Sequence, residues 1–422
     1  MALLRRALRS DFAFKKGNTM LASRAFGCLC ATAGILAADA MTSVAWAQAK
    51  MSFEIYGFAQ ADASIDTQRM DPAWDDAFRP SKIPTEPGTF GGDGQSSISV
   101  KQSRFGVQGN VPIGENYGPL NFRFEFDFFG VGVDAGQTTI RLRHMYGEWQ
   151  SVLAGQTNSL FMDGDVFPNT IEYWGPTGMV FYRNVQLRWT PWRSTRGHFA
   201  IAIERPGNDV DAGLIRQFDP AFGENIRNDE KLPDFTAQLR LNAGWGHAQI
   251  GGIVRRVGFE TIGSPDGEPN GSDTGWGVNL STHVNVFRRD KLMAQVVFGH
   301  GIASYMNDGG MDLAPDGTLE DAAAKAVPLV GALLYFDHYW SDRWSSSIGY
   351  SITQVDNTAL QGPTTYHRGE YASVNLLYTP TPNFLVGLEA IWGQRTDNDG
   401  RSADDARFQF SVKYSFSRQL IM

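Results

Sequence analysis

Charged residues alternate with apolar ones in two segments that follow each other along the chain. In the stretch PLNFRFEFDFFG, Arg123, Glu125 and Asp127 alternate with phenylalanines. In the next segment, Arg141 and Arg143 are also two positions apart. A period of two places such residues on one face of a β-sheet. Arginines grouped on one face can bind a carboxylate or phosphate through paired hydrogen bonds.

The opposite face of the first segment is purely apolar, which leaves two interpretations. In a soluble β-sandwich the phenylalanines would form the core. In an outer-membrane barrel they would contact lipid, and the charges would line a lumen. The choice depends on how many such segments there are and how they are connected.

Sixteen segments read as strands, and their connections alternate in length. The predicted strands are 53–64, 97–109, 119–129, 138–149, 151–157, 184–191, 197–205, 233–242, 246–257, 274–286, 291–304, 328–339, 343–355, 369–378, 383–393 and 406–416. Long connections precede every even-numbered strand except the fourth, and short ones lie between them. Outer-membrane barrels sort their loops in this way. We therefore predict an all-β fold, a transmembrane antiparallel β-barrel of sixteen strands, with SRQLIM as a tail beyond the last strand.

The N-terminal residues have the pattern of a secretory signal peptide. Basic residues precede an apolar run containing FGCLCATAGILAA, and AWAQAK then offers cleavage after Ala47 or Ala49. We predict a signal peptide over 1–47, with Met20 as an alternative start, and a single barrel domain over 50–422. The alternative, a membrane anchor, is disfavoured because the run is shorter than the roughly 20 residues of a membrane span.

The inward-facing positions of the predicted strands supply a candidate solute-binding face. The pore-lining candidates are Arg104, Arg123, Glu125, Asp127, Arg141, Arg143, Arg188 and Arg240. One interpretation is that arginines and carboxylates on neighbouring strands only pair and stiffen the wall. The other is that rows of opposite charge create the transverse field of a selective pore.

The long connection 158–183 is the candidate constriction loop. A loop of this length in a compact protein is usually functional or disordered, and its Pro, Gly and aromatic content favours an ordered loop. We expect it to fold into the lumen with its acids facing the wall arginines, whereas an external lid is the alternative. The candidate constriction residues are Asp163, Asp165, Glu172, Tyr173 and Arg183.

Composition disfavours several other classes of function. Both cysteines, Cys28 and Cys30, lie in the leader, so the mature chain offers no Cys-ligated metal and no Cys nucleophile. Removing the six basic and two acidic leader residues leaves a formal charge of −12, which argues against a nucleic-acid partner. The seven histidines form no HExxH motif. We predict neither an enzyme nor a bound metal or cofactor; a structural or lipid-modifying barrel is the alternative.

Three stretches resemble the DcaP-like outer-membrane porin family: VKQSRFGVQG, FEFDFFGVGVDAGQTTIRLRHMYGE and LAGQTNSLFMDGDVFPNTIEYWGPTGMVFYRNVQLRWTP. The resemblance is clearest over about residues 100–206. It implies a homotrimer of sixteen-stranded barrels in the bacterial outer membrane, with an arginine-lined constriction. It also implies passive diffusion of small organic anions, dicarboxylates and aromatic acids among them. The expected partners are these solutes, outer-membrane lipid and lipopolysaccharide.

Overall fold

The computed structural model describes residues 51–114, 117–287 and 289–421. The predicted signal peptide lies outside these residues. No helix in the described part of the chain is both long and apolar enough to cross a membrane. Most of the described chain forms antiparallel strands, and most of these strands are joined into one large sheet.

Twenty strands follow one another along the described part of the chain. They are β1 (Ser52–Asp66), β2 (Gln95–Ser99), β3 (Arg104–Pro112), β4 (Pro119–Phe129), β5 (Thr138–Trp149), β6 (Val152–Asn158), β7 (Arg183–Ser194), β8 (Gly197–Glu204), β9 (Ile226–Asn228), β10 (Asp234–Ala243), β11 (Gly246–Thr261), β12 (Gly271–Val286), β13 (Asp290–His300), β14 (Leu313–Gly317), β15 (Ala322–Ala326), β16 (Pro328–Tyr339), β17 (Trp344–Val355), β18 (Tyr366–Thr381), β19 (Phe384–Asp397) and β20 (Ser402–Ile421). The helices are short: α1 (Ile215–Phe218), α2 (Pro220–Asn225), and single 3₁₀ turns at Pro72–Trp74, Pro80–Lys82, Gly132–Asp134, Gly164–Val166 and Ala303–Tyr305.

These strands form a closed barrel wall of sixteen positions, which confirms the predicted fold. β2 and β3 both pair with β1 and together fill one position of the wall. β9 and β10 likewise lie along the same edge of β11. β14 and β15 form a separate two-stranded hairpin outside the wall. β1 pairs with β20 along its whole length, so the sheet has no free edge, as a wall in lipid requires.

The last two wall strands are longer than predicted, and this corrects two expectations. β19 ends at Asp397 and β20 begins at Ser402, so the expected long connection before the last strand is only four residues. Polar residues such as Arg395 and Asp405 interrupt the apolar alternation although the backbone stays paired. At the other end, Ser417 to Ile421 continues β20 and pairs with the start of β1. SRQLI therefore belongs to the wall.

The two faces of β4 settle the choice between a soluble core and a lipid-facing wall. Glu125 and Asp127 are 1% and 0% exposed and point into the barrel, whereas Phe124 on the opposite face is 38% exposed. Phe126 on that face contacts the rings of Phe105 and Phe128. A closed barrel with aromatic residues outside and charges inside is built for lipid on its outer surface.

Candidate solute-binding site and constriction

The connection between β6 and β7, residues 159–182, folds into the barrel, and we call it the inward loop. Its side chains Phe161 and Val180 are fully buried in a cluster with Val297 on the lumen face of β13. Farther along, Val166 and Met179 are buried in a second cluster against β16 and β18. The predicted inward position is thus confirmed, and the external-lid alternative is wrong.

Wall side chains satisfy the backbone of the inward loop. Asn279 donates to the carbonyl oxygen of Phe161 at 2.8 Å, and Glu389 accepts from the amide of Ile171 at 2.6 Å. Ser351 accepts from the amide of Gly178 at 2.7 Å. A loop without regular secondary structure needs such partners when its peptide groups are buried. These bonds fix the loop against β12, β17 and β19.

Gly178 allows the closest approach between the inward loop and the wall. A Cβ built on Gly178 would lie 2.1 Å from the carbonyl oxygen of Ile352 and 2.5 Å from that of Ala332. Both atoms belong to the backbone of rigid wall strands, so they cannot move aside cheaply. Only glycine permits this contact.

We expect Gly178→Ala to loosen the docking of the inward loop, because overpacking of this kind costs about 1–3 kcal/mol. Single-channel recording in planar bilayers should show higher and noisier conductance. Gly164→Ala is the matched control in the same loop, since its Cβ would meet nothing closer than 3.7 Å. Equal conductance in the two variants would contradict this role of Gly178.

The acidic residues of the inward loop do not face the arginines of β3–β5, which corrects the expected arrangement. Asp165 pairs with Arg240 at 2.5 Å, and Asp163 lies 3.6 Å from the same guanidinium and 2.7 Å from His247. Glu172 instead accepts hydrogen bonds from backbone amides, including that of Phe78, at 2.8 Å. Burial raises the pKa of this carboxyl. The acids thus brace the loop, and Arg240 supplies the cation at the Asp163–Asp165 pair.

The candidate arginines of β3–β5 do meet, around two buried carboxylates. Glu125 lies 2.6 Å from Arg123, 2.8 Å from Arg143 and 3.5 Å from Arg104. Asp127 lies 2.6 Å from Arg141 and 2.7 Å from Arg143, and Tyr56 also donates to Glu125, at 2.8 Å. The sequence-predicted charges of adjacent strands are therefore paired with one another.

A β-bulge in β5 brings an unpredicted residue to the same place. Asp127 is opposite Arg141, but Glu125 is opposite His144, because the register shifts between them. The extra residue lets Arg143 and His144, which are adjacent in sequence, both approach Glu125. Such a bulge re-aims side chains without interrupting the strand. Strict alternation could not have found His144.

Tyr173 of the inward loop and Arg183, the first residue of β7, complete the site. Tyr173 donates from its hydroxyl to Asp127 at 2.9 Å and stacks on Phe129 with ring centroids 3.7 Å apart. Arg183 has its guanidinium 4.7 Å from the centre of the Phe181 ring. Its Nε and Nη2 are buried and have no hydrogen-bond partner among the described residues. Arg183 is therefore the member of the group whose charge is least compensated.

We call Arg104, Arg123, Arg141, Arg143 and Arg183 the arginine cluster. These five cations surround two carboxylates, so the group has a formal charge of +3. Arg188, also predicted as pore-lining, lies apart from the cluster and donates to the carbonyl oxygen of Asn158 at 2.6 Å. Arg240 is likewise held apart, by the loop acids.

The arginine cluster opens into a cavity of about 810 Å³ inside the barrel. Arg141, Tyr173 and Arg183 line it, together with four cations that sequence analysis did not select: Arg79, Lys82, Arg216 and Arg395. Arg79 and Lys82 belong to the long connection between β1 and β2. No alternation marks such residues, because a loop has no fixed period. Their position depends on contacts with distant parts of the chain.

Comparisons with known proteins agree with this architecture. The family model described as DcaP outer membrane protein matches residues 37–416. The crystal structure of the outer membrane channel DcaP of Acinetobacter baumannii is 22% identical, with a TM-score of 0.72, covering 89% of this chain and 100% of that one. An anion-selective porin from Comamonas acidovorans is 10% identical, with a TM-score of 0.56, covering 86% and 100%.

Vibrio cholerae OmpT in a trimer form is 11% identical, with a TM-score of 0.50, covering 86% of this chain and 99% of that one. Comparison with curated protein sequences gives no match. The matched family and the structurally similar porins are channels and not enzymes. The family model spans most of the chain and the sixteen-strand wall agrees with it, so this protein belongs to the DcaP outer membrane protein family and is an outer-membrane β-barrel of the porin type.

Proposed function

We propose that this protein lets small hydrophilic solutes diffuse passively across the outer membrane and favours organic anions such as dicarboxylates or aromatic acids. The observation that supports this preference is the excess positive charge of the arginine cluster, five guanidinium groups against two carboxylates. Arg183 contributes most to it because its guanidinium lacks a carboxylate partner among the described residues.

The arginine–carboxylate pairs hold the guanidinium groups of the arginine cluster in place. Arg183 supplies the contact for a solute. Glu125 and Asp127 hold four of the arginines through charge-assisted hydrogen bonds, and Tyr173 adds a further bond to Asp127. A passing carboxylate meets Arg183 where this side chain lines the cavity. Such binding must stay weak, because a channel conducts only when solutes leave as readily as they enter.

Processing and assembly form the second part of the proposal. We infer that residues 1–47 are a signal peptide removed during export, on the basis of the basic, apolar and small-residue order of the leader. We also infer a homotrimer in contact with outer-membrane lipid and lipopolysaccharide. The broad apolar outer wall supports contact with lipid. Trimer formation by OmpT, a porin of similar fold, supports the assembly.

Uptake of radiolabelled solutes into proteoliposomes tests the proposed function. A four-carbon dicarboxylate and its uncharged diamide are similar in size, so they form a matched pair. We expect both to enter vesicles that contain the protein, with the dicarboxylate faster, and neither to enter protein-free vesicles. Absence of uptake would contradict the channel, and faster entry of the diamide would contradict the anion preference.

A further inference from the structure

A second group of cations also lines the cavity, and these residues come from other parts of the chain than the arginine cluster. Arg79 and Lys82 come from the connection between β1 and β2, Arg216 from α1, and Arg395 from the end of β19. Long connections of outer-membrane barrels lie on the side away from the periplasm. The same cavity thus has cations near its outer entrance and, at Arg183, near the constriction.

Three of the four outer cations are paired with carboxylates, and among these Arg216 lies 3.7 Å from Asp211. Arg79 lies between Trp74 and Trp174, 4.3 and 4.4 Å from their ring centres, and bonds to Asp308 at 2.8 Å. Arg395 bonds to Asp397 at 2.7 Å and donates to the carbonyl oxygen of Ser81 at 2.8 Å. These bonds fix the side chains that surround the fourth cation, Lys82.

Lys82 is the outer cation without a bound partner. Its ammonium forms neither a hydrogen bond nor an ion pair within the part of the chain that the structure describes, and its side chain is half-buried at the cavity wall. Its charged neighbours are Arg79, Asp308, Asp71 and Arg395. Burial, and then the charge of Arg79, lower its pKa. An arriving anion would stabilise the charged ammonium against both effects.

We propose that Lys82 forms an outer anion-binding station, which captures small soluble carboxylates from the external medium before they reach Arg183. This inference rests on the proposed anion preference and assigns a kinetic role within it. Unpaired charge at the entrance of a low-dielectric cavity raises the local concentration of counter-charged solutes and their rate of entry. Selectivity itself remains with the arginine cluster.

Single-channel recording with a dicarboxylate as a transient blocker tests this station. The blocker is added to the external or the periplasmic side of protein inserted with known orientation. We expect Lys82→Met to reduce the association rate from the external side by about fivefold, the effect of one unit charge near 4 Å in water. Association from the periplasmic side and the reversal potential in a salt gradient should stay at wild-type values.

Two further variants make the result specific. Lys82→Arg should preserve the rapid association and remove its pH dependence. The association rate of the wild-type channel should fall as the pH rises, because Lys82 loses its charge. This fall should occur at a lower pH than the titration of an ordinary lysine, since the pKa of Lys82 is lowered. Arginine stays charged over the same range. Lys325→Met is the matched control, since Lys325 is an exposed lysine paired with Asp316 on the β14–β15 hairpin.

The proposed role of Lys82 would be refuted if Lys82→Met kept the wild-type association rate. It would also be refuted if the association rate fell equally from the external and the periplasmic side. Failure of the proposed function looks different, because wild-type protein would then show no anion preference in the reversal potential. An anion-selective wild type with an unaltered Lys82→Met variant would leave the channel proposal intact and refute only the role of Lys82.

Discussion

Replacing Arg183 with glutamate should greatly weaken the anion preference of the channel, because it lowers the formal charge of the arginine cluster from +3 to +1. Arg183 lines the cavity beside Arg141, and its buried donors have no partner among the described residues. A unit charge 4 Å away contributes about 1 kcal/mol in water. Reversing that charge therefore changes the energy of a passing anion by about 2 kcal/mol, which corresponds to about thirtyfold.

The measurement for Arg183→Glu is the ratio of anion to cation permeability, obtained from reversal potentials in planar bilayers. We expect the largest change at low salt, because the Debye length shortens from about 30 Å at 0.01 M to 3 Å at 1 M. Arg289→Glu is the control. Arg289 lies in the short connection before β13, is exposed, and pairs with Asp342. A permeability ratio that is unchanged in Arg183→Glu would refute the role of Arg183 as a filter.

Arg183 is a cleaner test than the other members of the cluster. Arg141 and Arg143 each bond to Asp127 at 2.6–2.7 Å. A glutamate at either position would place a carboxylate against a buried carboxylate, so it would disturb the wall as well as the charge. Loss of selectivity in such variants would not separate the two causes.

Neutralising Glu125 should destabilise the barrel strongly. Its carboxylate is 1% exposed and is bonded to Arg123, Arg143 and the hydroxyl of Tyr56. Glu125→Gln keeps the size of the side chain but leaves buried arginines without their counter-charge. Breaking a buried pair in this way costs about 3–5 kcal/mol.

Denaturant unfolding of vesicle-reconstituted protein measures the effect of Glu125→Gln. The matched variant is Glu86→Gln, which removes an exposed carboxylate paired with Arg401. Exposed pairs contribute about 0–1 kcal/mol, so we expect this variant to unfold close to the wild-type denaturant concentration. Equal midpoints for the two variants would contradict a stabilising role for the carboxylate beneath the arginine cluster.

Local periodicity was sufficient to predict the wall and much of the cluster. Alternation depends only on backbone geometry, so it placed Arg123, Glu125 and Asp127 on the lumen face and the phenylalanines outside. The same rule brought Arg141 opposite Asp127. The length and the aromatic content of the inward loop indicated its location, because a long ordered loop needs a surface on which to pack.

What the sequence did not indicate are departures from the period and contacts between distant segments. The bulge that brings His144 to Glu125 leaves no mark in the alternation. Arg79 bonds to Asp308, 229 positions away, and Glu172 accepts from Phe78 rather than from an arginine. These contacts exist only once the barrel has closed. For that reason the outer cations and the bracing role of the loop acids emerged only from the structure.

The central claim is that the excess charge of the arginine cluster makes this channel prefer anions. The most direct test is the reversal potential of the wild-type protein in planar bilayers across a gradient of potassium chloride. Because potassium and chloride have similar mobilities in water, the sign of the potential reports the selectivity of the pore. The arginine cluster predicts a potential displaced toward the equilibrium potential of chloride. A potential at zero or displaced toward that of potassium would contradict it.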